Sequence, residues 1–535
     1  MARQQQGPEG LSIEADVLVL GGGPAGAWAA LEAARAGGRV VLADKGYFGT
    51  SGATAPSNTG AWCLPPGEAR RQAIDKRAPR TLGLANSRRV HEVLDRAYCG
   101  LQHLATVGYP FPLDDGGTLY IANLRGPDYM RFMRRAVLKL GVTVLDHHPA
   151  LELLTNRDGY VGGAAGIGRQ EAGWPAWRVV APAVVLATGG CAFGERILGA
   201  TGLSGDGYLM AAEVGASLSG MEFSAQYGIA PAGTSLNKGL IYRWATFSDA
   251  SGRELDGGGD RQVTLAAALL QGPVFARLDK AAPDIQDWLR RGQPNCFLPF
   301  DRAGIDPFAD RFAITLRSEG TVRGVGGIRL VSHDGATGVP GLYAAGDAAS
   351  REDLNGAISG GGGPNAAWAI ASGAFSGRAA AAHAGRSGRG MAHGLRAMGQ
   401  AGLRPRSPGP SRISPAEAVA AVRAAMLPLE HNFFRTEAGL QRSRARLDDA
   451  WTSLRDGSAA DDVGSTLLRS REAAALVATS RWVQAAAVLR TESRGLHRRR
   501  DRPALDPGQA HRIVVAGTDQ VDATFERMGS EAAAS

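Results

Sequence analysis

An α/β fold built on a parallel sheet is predicted by three observations. A short apolar run, Asp16 to Leu20, is followed at once by glycines. An alanine-rich stretch comes next, and a second apolar run, RVVLAD, ends in Asp44. Two further runs of the same kind, VVLATGGC at Val184–Cys191 and GLYAAGDAAS at Gly341–Ser350, recur much later in the chain.

Taken in order, each element has a physical reading. DVLVL is apolar without alternation, as in a strand buried on both faces. Gly21, Gly23 and Gly26 form G-x-G-x-x-G. Gly21 permits the tight turn, Gly23 lets a pyrophosphate approach the backbone, and Gly26 lets helix and strand pack closely. The helix AWAALEAARAG directs its free N–H groups at the phosphates. Asp44 ends the second strand, where a carboxylate accepts from a ribose hydroxyl and disfavours a 2′-phosphate. Strand, glycines, helix, strand and acid in this order predict a dinucleotide site. An NAD domain has no need of a late strand ending in Gly346 and Asp347. FAD stretches across the sheet, and a second anchor for its ribityl–pyrophosphate end accounts for both residues.

Length and composition set the frame. A chain of 535 residues exceeds one core and predicts two or three domains. The hydrophobic fraction, 44%, is ordinary for a globular protein. The 74 glycines fall in clusters, which reads as tight turns and close backbone approaches. The net charge of +8 suits an anionic cofactor, an anionic substrate or an acidic protein partner. The densest basic run, HRRRDR at His497–Arg502, is read as a solvated face, and no nucleic-acid partner is expected. Cys63, Cys99, Cys191 and Cys296 form no C-x-x-C pair, which argues against a metal or iron–sulfur site in this chain and for a reducing compartment. No charged-then-apolar leader and no long apolar run is present, so a cytoplasmic location without a transmembrane segment is expected.

Seven segments carry a resemblance to a known family. They are the opening motif, SGATAPSNTG at Ser51–Gly60, ATGG at Ala187–Gly190, and TGLSGDGYLMAAEVGASLSGMEF at Thr201–Phe223. GGI at Gly326–Ile328, GLYAAGD, and RTESRGLHRRRDRP at Arg490–Pro503 complete the set. In this order they resemble the flavoproteins of the fumarate reductase and succinate dehydrogenase superfamily. That group includes L-aspartate oxidase, 3-ketosteroid dehydrogenases and the flavin subunit of adenylylsulfate reductase. The resemblance implies a discontinuous, Rossmann-like FAD-binding domain at 1–228 and 326–385, with an inserted α+β capping domain at 229–325. A flexible linker at 386–413 and a C-terminal helical domain at 414–535 would follow. The Gly/Arg/Pro/Ser-rich composition of Ala384–Arg412 fits a linker. Ser414, Pro415 and Glu417 have the spacing of a helix start. The implied cofactor-binding residues are Gly21, Gly23, Gly26, Asp44, Lys45, Ser51, Gly52, Thr54, Thr188, Gly189, Asp206, Gly346, Asp347 and Asn365.

The chain departs from the family where dicarboxylates are clamped. Gln226 and Tyr227 stand where a histidine is implied, and Arg323, with no histidine, precedes GGI. Arg243 is displaced from the cap position of a catalytic arginine, and Ser359 replaces a final arginine. A dicarboxylate needs several fixed cations, so succinate and fumarate are not the expected substrates. No histidine lies between Asp44 and Val90, so the FAD is expected to be non-covalent. Arg243, Tyr242, Tyr227 and Arg323 are the candidates for handling the proton that accompanies hydride transfer, with Arg243, Tyr227 and Arg323 taken as the catalytic set. Arg351 reaches the flavin or a partner, or forms a loop salt bridge. Trp244 stacks on a ring-bearing substrate or packs in the core. Arg494 and His497 contact substrate or a neighbouring domain. Three functions stay open at this point. The first is a FAD-dependent oxidoreductase acting alone on a small organic substrate. The second is the flavin subunit of a heteromeric reductase serving an acidic ferredoxin-like iron–sulfur partner. The third is a flavin-binding protein with a degenerate site.

Overall fold

The apolar runs become the central strands of one parallel sheet. The computed structural model describes residues 3–7, 10–114, 116–255, 259–387, 393–404, 406, 413–457 and 464–526. In it, β1 (Val17–Leu20), β2 (Val40–Ala43), β3 (Thr143–Leu145), β4 (Ala183–Leu186) and β5 (Leu342–Ala344) lie in the spatial order β5–β4–β1–β2–β3, all parallel. Every residue of β1, β2 and β4 is buried, which is why these runs show no polar alternation. Helix α1 (Pro24–Arg35) crosses from β1 to β2 with proline in its first turn. Helix α2 (Asp206–Glu213) comes from the TGLSGDG segment. The late strand β5 pairs with β4, so Gly346 and Asp347 arrive beside the first glycine turn.

A long helix, α3 (Gly362–Ser387), lies against α1. Small residues permit the contact: a Cβ at Gly373 would sit 2.3 Å from the Ala25 carbonyl oxygen, and one at Gly377 would sit 2.1 Å from that of Ala29. Beside the parallel sheet lies a six-stranded sheet whose last member, Arg396–Ala397, pairs with Ala150–Thr155. That strand belongs to the stretch read as a linker, and Arg404 of the same stretch forms a 2.6 Å ion pair with Glu152. Residues 388–392, 405 and 407–412 lie outside the described residues.

The cap is an antiparallel sheet in the order Tyr227–Pro231, Phe312–Ser318, Val274–Arg277, Thr246–Asp249. Phe312–Ser318 alternates buried and half-buried positions, the mark of a sheet with one face on a core. That core is separate from the main one; Tyr242, Phe247, Phe297, Phe300 and Phe312 share it with Phe433 and Phe434 from the C-terminal region. Trp244 packs edge-on against Trp288 with ring centroids 6.2 Å apart.

Helix α4 (Pro415–Met426) begins with the capping box expected from Ser414 and Glu417. Helices α5 (Glu437–Asp456) and α6 (Ser465–Leu489) pack on it and on each other. Helical periodicity carries no signal for the chain beyond α6. There, strands Ile513–Ala516 and Asp522–Phe525 form a hairpin that joins Leu218–Ser219 and Gly327–Ile328 in a four-stranded sheet.

The run His497–Arg502 corrects the reading of a solvated face. Arg500, Asp501 and Arg502 are exposed, but His497 and Arg499 are buried. Burial is possible because each cation meets an acid or a carbonyl. Arg499 pairs with Asp501 at 2.8 Å and Glu437 at 2.9 Å. Fully buried Arg490 pairs with Glu222 at 2.7 Å and Glu492 at 3.1 Å, and donates to the Gln509 and His511 carbonyls. Arg494 pairs with Glu492 at 2.5 Å and reaches the Leu82 carbonyl of the parallel-sheet domain. His497 donates from Nε2 to the Arg490 carbonyl, and its Nδ1 accepts from Arg435. Burial first, then Arg435 and Arg490, hold its pKa well below the usual histidine range, so the ring stays neutral. Of the two roles read for Arg494 and His497, Arg494 makes the contact with a neighbouring domain, through the Leu82 carbonyl, whereas the side-chain bonds of His497 stay within the C-terminal region.

Candidate active site

The site begins where β1 ends. Gly21 has φ +107°, and a Cβ there would lie 2.3 Å from the Ala187 carbonyl oxygen. A Cβ on Gly26 would lie 1.8 Å from the Gly21 carbonyl oxygen, so α1 meets the strand only because neither residue has a side chain. Gly23 faces open space, with Gly52 Cα as its nearest neighbour at 3.7 Å. These two glycine turns and the N-terminus of α1 form the floor of a cavity.

Asp44 is fixed at its edge. Its Oδ2 accepts from the Gly22 amide at 2.5 Å, and its Oδ1 accepts from the Gly46 amide at 2.7 Å and Ser51 Oγ at 2.5 Å. Ser51, Gly52 and Thr54 line one wall. Lys45 Nζ, at the same end, donates to Asp206 at 2.7 Å, Glu472 at 2.9 Å and Ser204 Oγ at 3.1 Å. Burial opposes its charge, but Asp206 and Glu472 outweigh it and raise the Lys45 pKa. This cluster ties α6 to the rim of the cavity.

The opposite wall comes from β4 and β5. Thr188 and Gly189 follow β4, and Thr188 Oγ1 is buried with no partner. Gly346, with φ +63°, donates its amide to Ser372 Oγ and accepts from Trp368 Nε1. Asp347 lines the cavity and is paired with Arg351; burial raises its pKa against the pull of Arg351 and Arg323. Arg351 is wholly buried and also donates to the Thr321 and Gly324 carbonyls. The salt-bridge alternative therefore describes it. Gly361, Gly362 and Asn365 at the start of α3 close the far end, and Asn365 accepts from Asn355, which accepts from Arg77.

Every cofactor-binding candidate except Gly26 lines this one cavity, and Gly26 holds the helix against its floor. The catalytic candidates are dispersed. Arg323 lines the cavity and pairs with Glu319 at 3.4 Å. Tyr227 is buried in the cap, donates to the Leu427 carbonyl at 3.0 Å and meets Phe433 edge-on; burial raises its pKa. Arg243 is exposed on a short helical turn, Ile241–Trp244. Neither Tyr227 nor Arg243 is among the residues lining the cavity.

Comparison with known proteins bears on this geometry. Residues 16–240 match the FAD binding domain family, and residues 426–528 match the fumarate reductase flavoprotein C-terminal family. The chain belongs to the fumarate reductase and succinate dehydrogenase flavoprotein superfamily. This flavoprotein is 29% identical to the L-aspartate oxidase of Mycobacterium leprae over 568 residues, 94% of this chain and 96% of that one. Its fold superposes on FrdA of E. coli quinol fumarate reductase with TM-score 0.81 at 19% identity, covering 97% and 98% of the two chains. It superposes on adenylylsulfate reductase of Archaeoglobus fulgidus with TM-score 0.73 at 18% identity, covering 97% and 96%. It is a FAD-dependent oxidoreductase.

The residues present in the flavoprotein fit FAD. Backbone without side chains lines the cavity at Gly21–Gly23 before the first turn of α1, a preorganised carboxylate stands at Asp44, and the orphaned Thr188 hydroxyl and Asp347 face the same space. Sequence reasoning missed Lys238, Asn237 and Glu319 at the seam between cap and cavity. Asn237 Nδ2 donates to Glu319 Oε1 at 2.5 Å, and burial, then Arg323, push Lys238 down to about 8. SLNKGL has no periodic or motif signal that marks a half-buried lysine beside a distant turn.

Proposed function

We propose that this flavoprotein moves a hydride between a small organic substrate and non-covalently held FAD, and that this substrate is neither succinate nor fumarate. When bound, FAD supplies a two-electron acceptor or donor at its ring system. Gly21, Gly23 and the first turn of α1 would hold its pyrophosphate, Asp44 a ribose hydroxyl, and Asp347 the ribityl chain. Gly361, Gly362 and Asn365 would face the ring. Arg323 would orient the substrate from the cap side as a fixed charge. Tyr227 and Arg243 keep supporting roles in the cap. The domain limits 229–325 for the cap and 326–385 for the second FAD-binding segment belong to the same reading, as does a cytoplasmic location. No helix among the described residues is long and apolar enough to cross a membrane.

One observation carries the substrate part of this reading. Among the described residues, Arg323 is the single cation lining the cap-facing end of the cavity, whereas a dicarboxylate in a closed site calls for two or three. Anaerobic titration of the purified yellow protein with a metabolite panel, including L-aspartate, succinate and fumarate, tests it. Bleaching of the flavin band by a metabolite other than succinate is expected. Bleaching by succinate alone, or reoxidation by fumarate alone, would overturn the reading.

A second reading is favoured by the charge of +8 and by the lack of an evident NAD(P)H motif. In it an acidic, ferredoxin-like iron–sulfur protein exchanges electrons with the flavin. Slow reoxidation of the reduced protein by air, with fast reoxidation by an oxidised ferredoxin, supports it; the reverse order removes it.

A further inference from the structure

The far end of the cavity is backed by a chain of polar side chains whose work is unassigned. Arg77 closes the helix Glu68–Arg77, outside the cavity, and fully buried Asn355 closes the short helix Glu352–Asn355. Asn365 stands in the first turn of α3 and lines the cavity. Arg77 donates from Nη2 to Asn355 Oδ1 at 3.1 Å, and Asn355 Nδ2 donates to Asn365 Oδ1 at 3.2 Å. The backbone holds the three in place. Gly356, with φ +59°, lets the turn after Asn355 close on Thr81: a Cβ there would lie 2.1 Å from the Thr81 carbonyl oxygen, which also accepts from the Ala357 amide at 3.2 Å. The Arg77 guanidinium lies over the Trp62 ring, 5.4 Å from its centroid, and the Trp62 amide donates to the Gly363 carbonyl at 2.9 Å. A Cβ at Gly360 would lie 2.5 Å from Asn365 Oδ1 and 2.7 Å from Asn355 Nδ2, so the amide pair fills the space that a side chain there would need.

The direction of donation along this chain is forced. A guanidinium only donates. The Asn355 oxygen must therefore face Arg77, its amino group must face Asn365, and Asn365 must turn its own oxygen to Asn355. What the Asn365 amide has left is Nδ2, which has no protein partner among the described residues. We propose that Arg77 and Asn355 are positioning residues that hold Asn365 as a hydrogen-bond donor to the flavin ring, and that through it they raise the cofactor's reduction potential. This inference rests on the reading that Asn365 faces the ring. A donor held against a ring system favours the form with more negative charge on its heteroatoms, which for a flavin is the reduced one.

Two simpler roles for Arg77 make different demands. A packing role would need the aliphatic stem and the stacking on Trp62, and the donor would be incidental. A role as a bare charge would need the guanidinium but not the amides; among the described residues Arg77 forms no ion pair, so that charge is not offset nearby. Only the relay needs a donor at 77 and an intact amide at both 355 and 365. Arg77 Nε is buried without a partner, so the bond to Asn355 is the one that fixes the guanidinium. Without it, nothing in the chain of side chains distinguishes the two orientations of the Asn365 amide, and an oxygen turned to the ring would favour the oxidised form.

The midpoint potential of full-length, flavin-loaded protein, measured anaerobically against a reference dye, tests this. Arg77→Met is expected to shift the equilibrium toward oxidised flavin about tenfold, a fall of about 30 mV for a two-electron couple. Arg77→Lys, whose ammonium also only donates, is expected to restore most of that loss. Asn355→Leu leaves the charge of Arg77 in place and cuts the relay, so it is expected to lower the potential by a similar amount; it also answers the question if Arg77→Met does not hold flavin. In an Asn365→Ala background, Arg77→Met is expected to add nothing. A wild-type potential in Arg77→Met or in Asn355→Leu overturns the proposal. So does an undiminished effect of Arg77→Met beside Asn365→Ala, since Arg77 would then act without the relay. A colourless wild-type protein would instead fail the reading of the cavity. Asn365→Ala at the wild-type potential with flavin bound would fail the placement of the ring at Asn365. Either result removes the proposal too, and each is seen before Arg77 or Asn355 is changed.

Discussion

The glycine floor of the cavity and the arginine lattice behind it both place polar groups in the interior, with opposite materials. At the floor, side chains are removed so that a ligand can come close to the backbone: Gly21, Gly23 and Gly26 contribute only main chain, and Gly21 and Gly23 line the cavity. In the C-terminal lattice the longest charged side chains are buried and already answered. Arg490 is wholly enclosed by Glu222, Glu492 and two carbonyls. The difference teaches where each region directs its polarity. The floor keeps its open face for something outside the chain, whereas the lattice uses its hydrogen bonds to fasten the C-terminal segment to the parallel-sheet domain.

Substitutions at both places sharpen this contrast. The largest effect is expected from Gly26→Val, because even a Cβ at this position would overlap the Gly21 carbonyl; purified variant should carry almost no flavin in its visible spectrum. Arg490→Met comes next. It leaves Glu222 and Glu492 buried without their cation and should cost about 3–5 kcal/mol, read as a lower guanidinium midpoint. If that variant loses flavin before it loses stability, the lattice serves the ligand after all and the contrast breaks. Asp44→Ala removes a carboxylate held by two amides and a hydroxyl. Loss of about 1.5–3 kcal/mol should weaken flavin binding roughly 10–100-fold by equilibrium titration, with little change in melting temperature.

The lattice also has a pH signature. Burial, against Arg512 and with Glu222 adding to the effect, raises Glu352 from its ordinary 4.5 to about 7. The fold therefore favours the protonated acid. Its contribution to stability is full below about pH 4.5, falls as pH rises through about 7, and stays lost above that. Glu352→Gln, which cannot ionise, should gain on the wild type as pH passes from 5 to 8 in thermal melts; parallel melting curves would refute the shift. The smallest effect is expected at exposed Arg243, where Arg243→Ala should change stability by no more than about 0.5 kcal/mol.

The legibility of these regions in the sequence tracks their physics. The floor was readable because its signal is local: an unbroken apolar run, glycines at fixed offsets and Asp44 within one β–α–β unit. Gly346, Asp347 and Thr188 were readable because each comes after another apolar run of the same kind. The lattice was visible as a motif, but its burial was not, since nothing within HRRRDR announces that Glu437 will meet Arg499, and nothing beside Arg490 announces that Glu222 will meet it from another element. The hairpin Ile513–Phe525 was missed for the same reason: its partners, Leu218–Ser219 and Gly327–Ile328, lie hundreds of residues earlier. At the seam, Arg323 was found and Lys238 was not, because the first sits beside a glycine motif and the second owes its surroundings to a turn eighty residues on.

The close approach of α3 to α1 has a consequence for ligand choice. Both helices begin at the cavity, one at each end, and Gly373 and Gly377 lock them side by side about three to four turns from the start of α3. The gap between their first turns is therefore set by the backbone contact alone. It works as a rigid gauge: a mononucleotide would reach one helix and leave the other unmet, so the chain selects its cofactor by length before any side chain tests its chemistry.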